Sequence, residues 1–261
     1  MRILVTFAVD AEFAPWRERR PFHSIDYDGL RLWRTQMGGA EVTTLVTGVG
    51  GESGARAMGL MMRMADEDKH FDICISSGLA GALQKTLVPG DVIAPEALIT
   101  ERRQADPHSD QLKVDPELRR QALESGAIAA ECLFTTDQIL IKTSQKRACP
   151  SRAQSVDMES FEIVKEACAW GARTVVLRAI SDSADEDLPI DFNLALSKDH
   201  QVSTAKILVQ LAKNPAALPA LIRFGRQSRN AAERLAKFLD GYVQKLGDSS
   251  PISTPHEARA V

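Results

Sequence analysis

The sequence predicts an α/β fold, with a mixed central sheet flanked by helices and a C-terminal helical extension. Three observations carry this. Short apolar runs rich in β-branched residues recur at residues 2–9, 42–46, 71–75 and 173–180. Segments of helical character alternate with them through residue 190. After Asp191 the alternation stops, and two helical stretches follow at about 202–213 and 216–246.

In order along the chain, residues 2–9 read as a buried strand. Residues 30–33 and 42–46 read as strands, with Gly38-Gly39 as the turn between them. Gly50 to Gly54 leads into a helix over 55–65, rich in Met and Ala. Residues 71–75 form the next strand, followed by a small-residue loop, Ser76-Ser77-Gly78-Leu79-Ala80-Gly81. Pro89-Gly90-Asp91 turns into a short strand at 92–94, and the polar stretch 103–114 reads as a surface loop. A helix starts at Pro116 with Asp115 as its N-cap, since Asp accepts from free backbone N–H groups and Pro fits the first turn. A short strand at 133–135, a helix over 161–170 ended by Gly171, and a long strand over 173–180 complete the α/β part. Asn214-Pro215 separates the last two helices. The reading is one domain, 1–246, that includes the helical extension 202–246. A tail, 247–261, has too little apolar content to be ordered.

Bulk composition narrows the function classes. The chain has 261 residues, 44% hydrophobic and 26% charged, as expected of a globular protein. Its net charge of -3 gives no nucleic-acid signature. No apolar run approaches the ~20 residues that span a bilayer, and no secretory leader is legible, so a cytoplasmic location is expected. Cys74, Cys132, Cys149 and Cys168 form no C-x-x-C pair and are expected to be reduced and mostly buried. His23, His70, His108, His200 and His256 lack metal-ligand spacing, so no metal is expected.

The chemistry-bearing residues are acids at strand ends, where ligands bind in open α/β sheets. Glu12 follows the first strand, Glu159 lies in Val156-Asp157-Met158-Glu159, and Asp182 ends Arg178-Ala179-Ile180-Ser181-Asp182. Taken singly, each has a plain alternative: Glu12 a solvated charge, Glu159 a helix-start carboxylate, Asp182 an N-cap. Gly48-Val49-Gly50-Gly51-Glu52-Ser53-Gly54 lacks the third glycine of a dinucleotide fingerprint. It reads as a tight strand-to-helix turn that could line a pocket with N–H groups. Ser77, Gly78, Leu79 and Ala80 form either a packing turn or a binding loop into which a ligand can press closely.

Together with Thr47-Gly48-Val49-Gly50 and Pro89-Gly90-Asp91-Val92, these motifs resemble the nucleoside phosphorylase/nucleosidase superfamily, in family order over roughly residues 1–210. The resemblance is closest to methylthioadenosine/S-adenosylhomocysteine nucleosidases. It implies that Asp182 protonates purine N7, with Ser181 orienting it. It also implies that Glu159 accepts from the ribose hydroxyls, that Met158 packs on the sugar and that Glu12 holds the attacking water. Such a path, with an acid at the base and water on the opposite face, parallels inverting glycoside hydrolysis. Ile139 and Leu140 fall where the family lines the base pocket, although an aromatic is usual at the first. The family's phosphorylases carry an arginine just before the Gly-Ser/Thr loop. Here that stretch is Cys74-Ile75-Ser76-Ser77-Gly78, which favours water over phosphate as nucleophile. Neither metal nor organic cofactor is implied, and the family is often dimeric.

The extension departs from the small nucleosidases. Residues 201–245 hold eight Lys/Arg against Glu233 and Asp240, interleaved with Leu218, Leu221, Ile222 and Phe224. This pattern fits a helix packed on its own core, or a basic amphipathic helix at a membrane surface. It resembles the hopanoid-biosynthesis-associated branch of the superfamily, which implies a lipid-linked nucleoside, adenosylhopane, and a peripheral contact with the inner membrane. Phosphorolysis, ordinary methylthioadenosine/S-adenosylhomocysteine cleavage and a catalytically idle nucleoside-binding protein stay open as alternatives.

Overall fold

The computed structural model describes residues 1–27, 30–64, 70–101, 111–195 and 203–249. The strands are β1 (Arg2–Phe7), β2 (His23–Tyr27), β3 (Leu30–Met37), β4 (Ala40–Val46), β5 (Ile73–Ala82), β6 (Val92–Thr100), β7 (Leu112–Lys113), β8 (Ile128–Thr135), β9 (Ser155–Asp157) and β10 (Arg173–Asp182). The helices are α1 (Asp10–Arg17), α2 (Gly51–Met64), α3 (Pro116–Glu124), α4 (Thr143–Ala148), α5 (Ser160–Ala169), α6 (Phe192–Ala195), α7 (Thr204–Lys213) and α8 (Leu218–Asp248).

The sheet is mixed, as expected, and part of it closes on itself. Its order runs β10-β6-β8-β9-β5-β1-β4-β3-β2, and β10 also pairs with β5. Strands β5, β10, β6, β8 and β9 therefore form a ring, while β1, β4, β3 and β2 extend from β5 as an open wing. Parallel β1, β5 and β10 bring their C-terminal ends to one edge.

Strand β5 is where sequence reading and structure differ most. The predicted loop Ser76–Gly81 is a continuation of the strand, paired with β10 from Ile73 to Gly81. Small residues stand there because β5 belongs to both wing and ring and must bend between them, with neighbours close on either side. Gly81 also pairs with Val156 of β9.

The predicted first strand, 2–9, stops at Phe7, because Val9 caps an unforeseen helix, α1. Strands at 92–94 and 133–135 extend to Val92–Thr100 and Ile128–Thr135. Strand β2 and the short helices α4 and α6 were also not anticipated. The loop expected at 103–114 contributes β7, which pairs with β6; 102–110 lie outside the described residues. Asp115 caps α3 as predicted, accepting from the N–H groups of Glu117 and Leu118 at 3.0 and 2.9 Å.

Helix α8 runs to Asp248, so the predicted tail starts too early. Gly39 N–H donates to Gly247 O (3.1 Å), and a Cβ on Gly247 would stand 2.0 Å from Met37 O. Only a glycine lets the helix end lie on the β3–β4 turn; residues 250–261 lie outside the described set. The second half of α8 buries Leu235, Leu239, Tyr242 and Val243 in the main core with Val5, Phe13 and Trp16. Tyr242 Oη–H donates to Leu118 O (2.8 Å). That half is core, as the plainer reading of the extension held. The first half leaves Leu218 and Ile222 exposed, and α7 has no buried residue. Cys74 and Cys132 are buried as expected, but Cys168 is exposed, because it lies on the outer side of α5 near the helix end.

Candidate active site

One cavity of about 310 Å³ lies at the strand ends, lined by Glu12, Met158, Glu159, Ser181, Asp182, Leu79, Ala80, Ile139 and Leu140. Nine of the eleven residues expected at the site thus meet in one place. Ser77 and Gly78 are not on its wall. The next three residues of β5, Leu79, Ala80 and Gly81, form the wall instead, while Gly78 lies against Arg178 and Glu12.

Glu12 reaches the cavity from the third position of α1. It is buried, not a solvated charge. Its Oε2 accepts from the N–H groups of Ala8 (3.0 Å) and Val9 (3.4 Å), and Oε1 from Leu79 N–H (2.9 Å). Burial pushes its pKa up, while the Arg178 guanidinium and these N–H groups pull back. Gly78 makes this arrangement possible: at φ +146°, a Cβ there would lie 2.5 Å from Arg178 Nη1 and 3.1 Å from both Glu12 oxygens.

Arg178 is buried beneath the site. Its Nε donates to Asp157 Oδ2 (2.9 Å), and its Nη2 to Ser76 Oγ (3.2 Å) and Ser160 Oγ (2.9 Å). Asp157 is therefore its counter-ion, held also by Thr135 Oγ1–H (2.8 Å). The arginine missing before the Gly-containing segment is not replaced by Arg178 at the cavity wall, since its Nε and Nη2 donate to protein groups and its Nη1 faces the Gly78 backbone.

Glu159 stands at the N-cap of α5 without capping it. Instead its Oε1 accepts from Gly50 N–H (2.8 Å). The glycine-rich turn therefore does aim an N–H group into the site. Gly51 and Gly54 also let α2 press on α5, with Cβ positions 3.2 Å from Glu162 and Ile163 side chains. Burial first, and then the neighbouring Asp157 carboxylate, push the pKa of Glu159 well up.

Asp182 ends β10 and caps no helix. Ser181 Oγ–H donates to its Oδ1 (2.6 Å), so Ser181 does orient it. Its other oxygen meets a residue the sequence did not reveal. Lys146 Nζ donates to Asp182 Oδ2 (2.6 Å), Ser183 O (2.6 Å) and Glu186 O (3.1 Å). Lys146 comes from the six-residue α4, too short for a periodic signal, within a polar run that looks solvated. Asn193 was also missed; it grips the backbone of Ile139, accepting from its N–H and donating to its carbonyl, both at 2.8 Å. Part of the remaining wall is apolar, with Leu188, Phe192 and, from α8, Phe224, while Thr136, Gln138, Asp157 and Ser228 add polar groups. Phe192 and Phe224 stand 5.3 Å apart between ring centroids. No cluster of metal-ligating side chains occurs among the described residues.

A partly closed mixed sheet thus gathers buried carboxylates at its strand ends, where α/β sheets hold polar ligands. The Phosphorylase superfamily matches the chain over residues 2–244, and the chain belongs to that superfamily. A 5'-methylthioadenosine/S-adenosylhomocysteine nucleosidase of Staphylococcus saprophyticus is 28% identical over 162 residues, 55% of this chain and 71% of that one. A futalosine hydrolase mutant of Helicobacter pylori strain 26695 superposes with a TM-score of 0.71 at 19% identity, over 94% of this chain and 99% of that chain. The same TM-score, identity and coverage hold for the 5'-methylthioadenosine/S-adenosylhomocysteine nucleosidase of Neisseria meningitidis in complex with methylthio-immucillin-A. At that identity the likeness establishes the fold, a mixed sheet flanked by helices with a C-terminal helix.

Proposed function

We propose that this protein is a purine nucleosidase that hydrolyses the N-ribosyl bond of an adenine nucleoside with a 5' substituent, releasing adenine. The observation that carries the reading is the meeting of Glu12, Glu159 and Asp182, three buried carboxylates from distant strand ends, on one cavity. Breaking the bond leaves an oxocarbenium-like sugar and a base gaining negative charge. Asp182 serves as acid at N7, Glu159 accepts from the ribose hydroxyls, Met158 packs on the sugar and Glu12 holds the attacking water. Ile139 and Leu140, fixed by Asn193, border the base.

Water is favoured over phosphate because the cavity offers an oxyanion no free cation. Among its described lining residues the single cation is Lys146, whose three hydrogens are engaged. The carboxylates would repel a dianion that no guanidinium clamps.

The 5' substituent is proposed to be large and apolar, as in adenosylhopane. Leu188, Phe192 and Phe224 give the cavity an apolar wall, and Leu194, Leu218 and Ile222 continue apolar surface on the neighbouring helices. Arg223, Arg226 and Arg229 stand beside it on α8, which suits peripheral contact with an anionic membrane. Among the described residues no helix is long and apolar enough to cross a membrane.

A nucleoside panel, with and without phosphate, tests the reading. Free adenine should form without phosphate, with a ribose derivative as the second product. Ribose 1-phosphate made only when phosphate is supplied would establish phosphorolysis instead. A preference for methylthioadenosine over any long-chain substrate would place the protein with the ordinary nucleosidases. Release of no base from any nucleoside would leave a binding protein.

A further inference from the structure

Lys146 is the single fully buried lysine among the described residues, and its partners bear on where the reaction's proton resides. In the free enzyme Asp182 Oδ2 faces Lys146 Nζ–H at 2.6 Å. Oδ1 faces Ser181 Oγ at 2.6 Å, and Ser181 has one hydrogen for Oδ1 and for Ala80 O at 3.2 Å. A carboxylate paired with an ammonium accepts from it. Yet the hydrolysis proposed above requires a proton at the departing base.

The surroundings of Nζ resolve this. An ammonium has three hydrogens, and Nζ has three acceptors: Asp182 Oδ2, Ser183 O and Glu186 O. A neutral amine has two hydrogens and a lone pair. The two carbonyls can take the two hydrogens, and the lone pair then accepts from a protonated Asp182. The same cage therefore satisfies both arrangements, ammonium with carboxylate and amine with carboxylic acid. Water favours the first arrangement. Filling the cavity with a purine removes water and weakens the advantage of separated charge.

We propose that Lys146 is a positioning residue that also stores the leaving-group proton, which reaches the base through Asp182. As the C1'–N9 bond breaks, its electron pair goes to the purine. N7 takes the proton of the Asp182 carboxyl group, and Lys146 Nζ supplies that proton and is left as an amine. Water adds its oxygen to C1' and releases a proton toward Glu12. After the products leave, Glu12 gives its proton to solvent and solvent returns one to Lys146, so one water is consumed and no net proton.

The charged groups around the cage come from several elements. From the β10–α6 loop, Glu186 Oε1 meets Arg223 of α8 (3.1 Å), and Asp187 meets Lys142 beside α4 (3.0 Å). Asp185 meets Lys85 (2.9 Å) and, more distantly, Arg147 of α4 (3.9 Å). Apart from the half-buried Glu186, these side chains are exposed, and each carboxylate faces at least one cation.

The inference rests on the nucleosidase reading, and the test separates the two. Wild type, Lys146→Arg and Lys146→Met are assayed from pH 5 to 9 on an adenine nucleoside and on 4-nitrophenyl β-D-ribofuranoside, whose leaving group needs no proton. Arginine keeps the charge but cannot release a proton. Both variants should lose about 10² or more in kcat on the nucleoside at pH 8. The loss for Lys146→Met should shrink toward pH 5, where the solvent itself is a better source of the proton. Both variants should lose far less on the nitrophenyl riboside than on the nucleoside, because its leaving group needs no proton. Recovery of nucleoside cleavage by arginine would make Lys146 an electrostatic support only and overturn the proposal. So would an equal loss at all pH values on both substrates, or a wild-type rate in Lys146→Met. Failure of the wild type to cleave either substrate would instead reject the nucleosidase reading, and the relay with it.

Discussion

Gln227, in the C-terminal helix, donates from Nε2 to the carbonyl of Ser181 at 2.8 Å. The C-terminal helix thus touches the residue preceding the candidate acid. Arg223, one turn earlier, holds Glu186, whose carbonyl takes a hydrogen of Lys146. The extension is part of the wall and support of the cavity as well as a surface helix.

Asp182→Asn should lower kcat for an adenine nucleoside by at least about 10², because an amide cannot pass a proton to N7. The change leaves the buried Lys146 ammonium without its counter-ion, so Tm should fall, and circular dichroism at the assay temperature should still show a folded protein. Steady-state kinetics giving near-normal turnover would remove Asp182 from the acid role.

Glu159→Gln should stabilise the free enzyme at pH 8 and leave it nearly unchanged at pH 4. Burial and Asp157 raise the folded-state pKa of Glu159 above its ordinary value, 4.5. Above that value the folded state binds more protons than the unfolded one, so stability falls as pH rises through the folded pKa. Glutamine removes that loss, and Tm at pH 8 should rise by about 2–4 °C per kcal/mol recovered. Differential scanning calorimetry at both pH values checks the sign. Activity should fall, since the acceptor for the ribose hydroxyls is weakened.

Gly78→Ala should destabilise the fold by roughly 1–3 kcal/mol and reduce activity together. The added Cβ falls in a region of φ that L-residues avoid, and against Arg178 and Glu12. Urea denaturation reads the first effect. An unchanged midpoint would mean that the layer behind the cavity is looser than its geometry implies.

Phe224→Ala should raise KM for an adenosine with a long apolar 5' chain by at least about tenfold, the contribution of one aromatic side chain that the bound chain would cover. The KM for adenosine itself should change little. Equal effects on both would put Phe224 at the base and not at the 5' end.

Binding to anionic vesicles should be salt-sensitive and should weaken when Arg226 and Arg229 are both changed to Gln, at about 1 kcal/mol per charge. Arg229 pairs with Glu233 at 3.0 Å, but the pair is exposed and constrains it little. Arg223 belongs outside this test, because its link to Glu186 reaches the acid's surroundings. No binding at low salt would make the basic face purely structural.

The amino-acid sequence by itself determined the α/β class, the order of most elements and the three acids. Apolar period and strand-end position are local properties, so Glu12, Glu159 and Asp182 were legible from Ile3, Val156 and Val175 onward. Tertiary structure alone decided what those acids meet. Strand β5 hid behind its glycines and serines, because a strand that bends between wing and ring needs small residues that otherwise signal a loop. Lys146 stayed hidden because a lysine's burial depends on acceptors 36 to 40 residues away, Asp182 and Glu186 among them, and not on its neighbours. The same holds for Phe224 and Gln227. A long basic helix states its amphipathicity in sequence, but which of its turns faces the cavity is fixed only when its far half docks against β1 and α1.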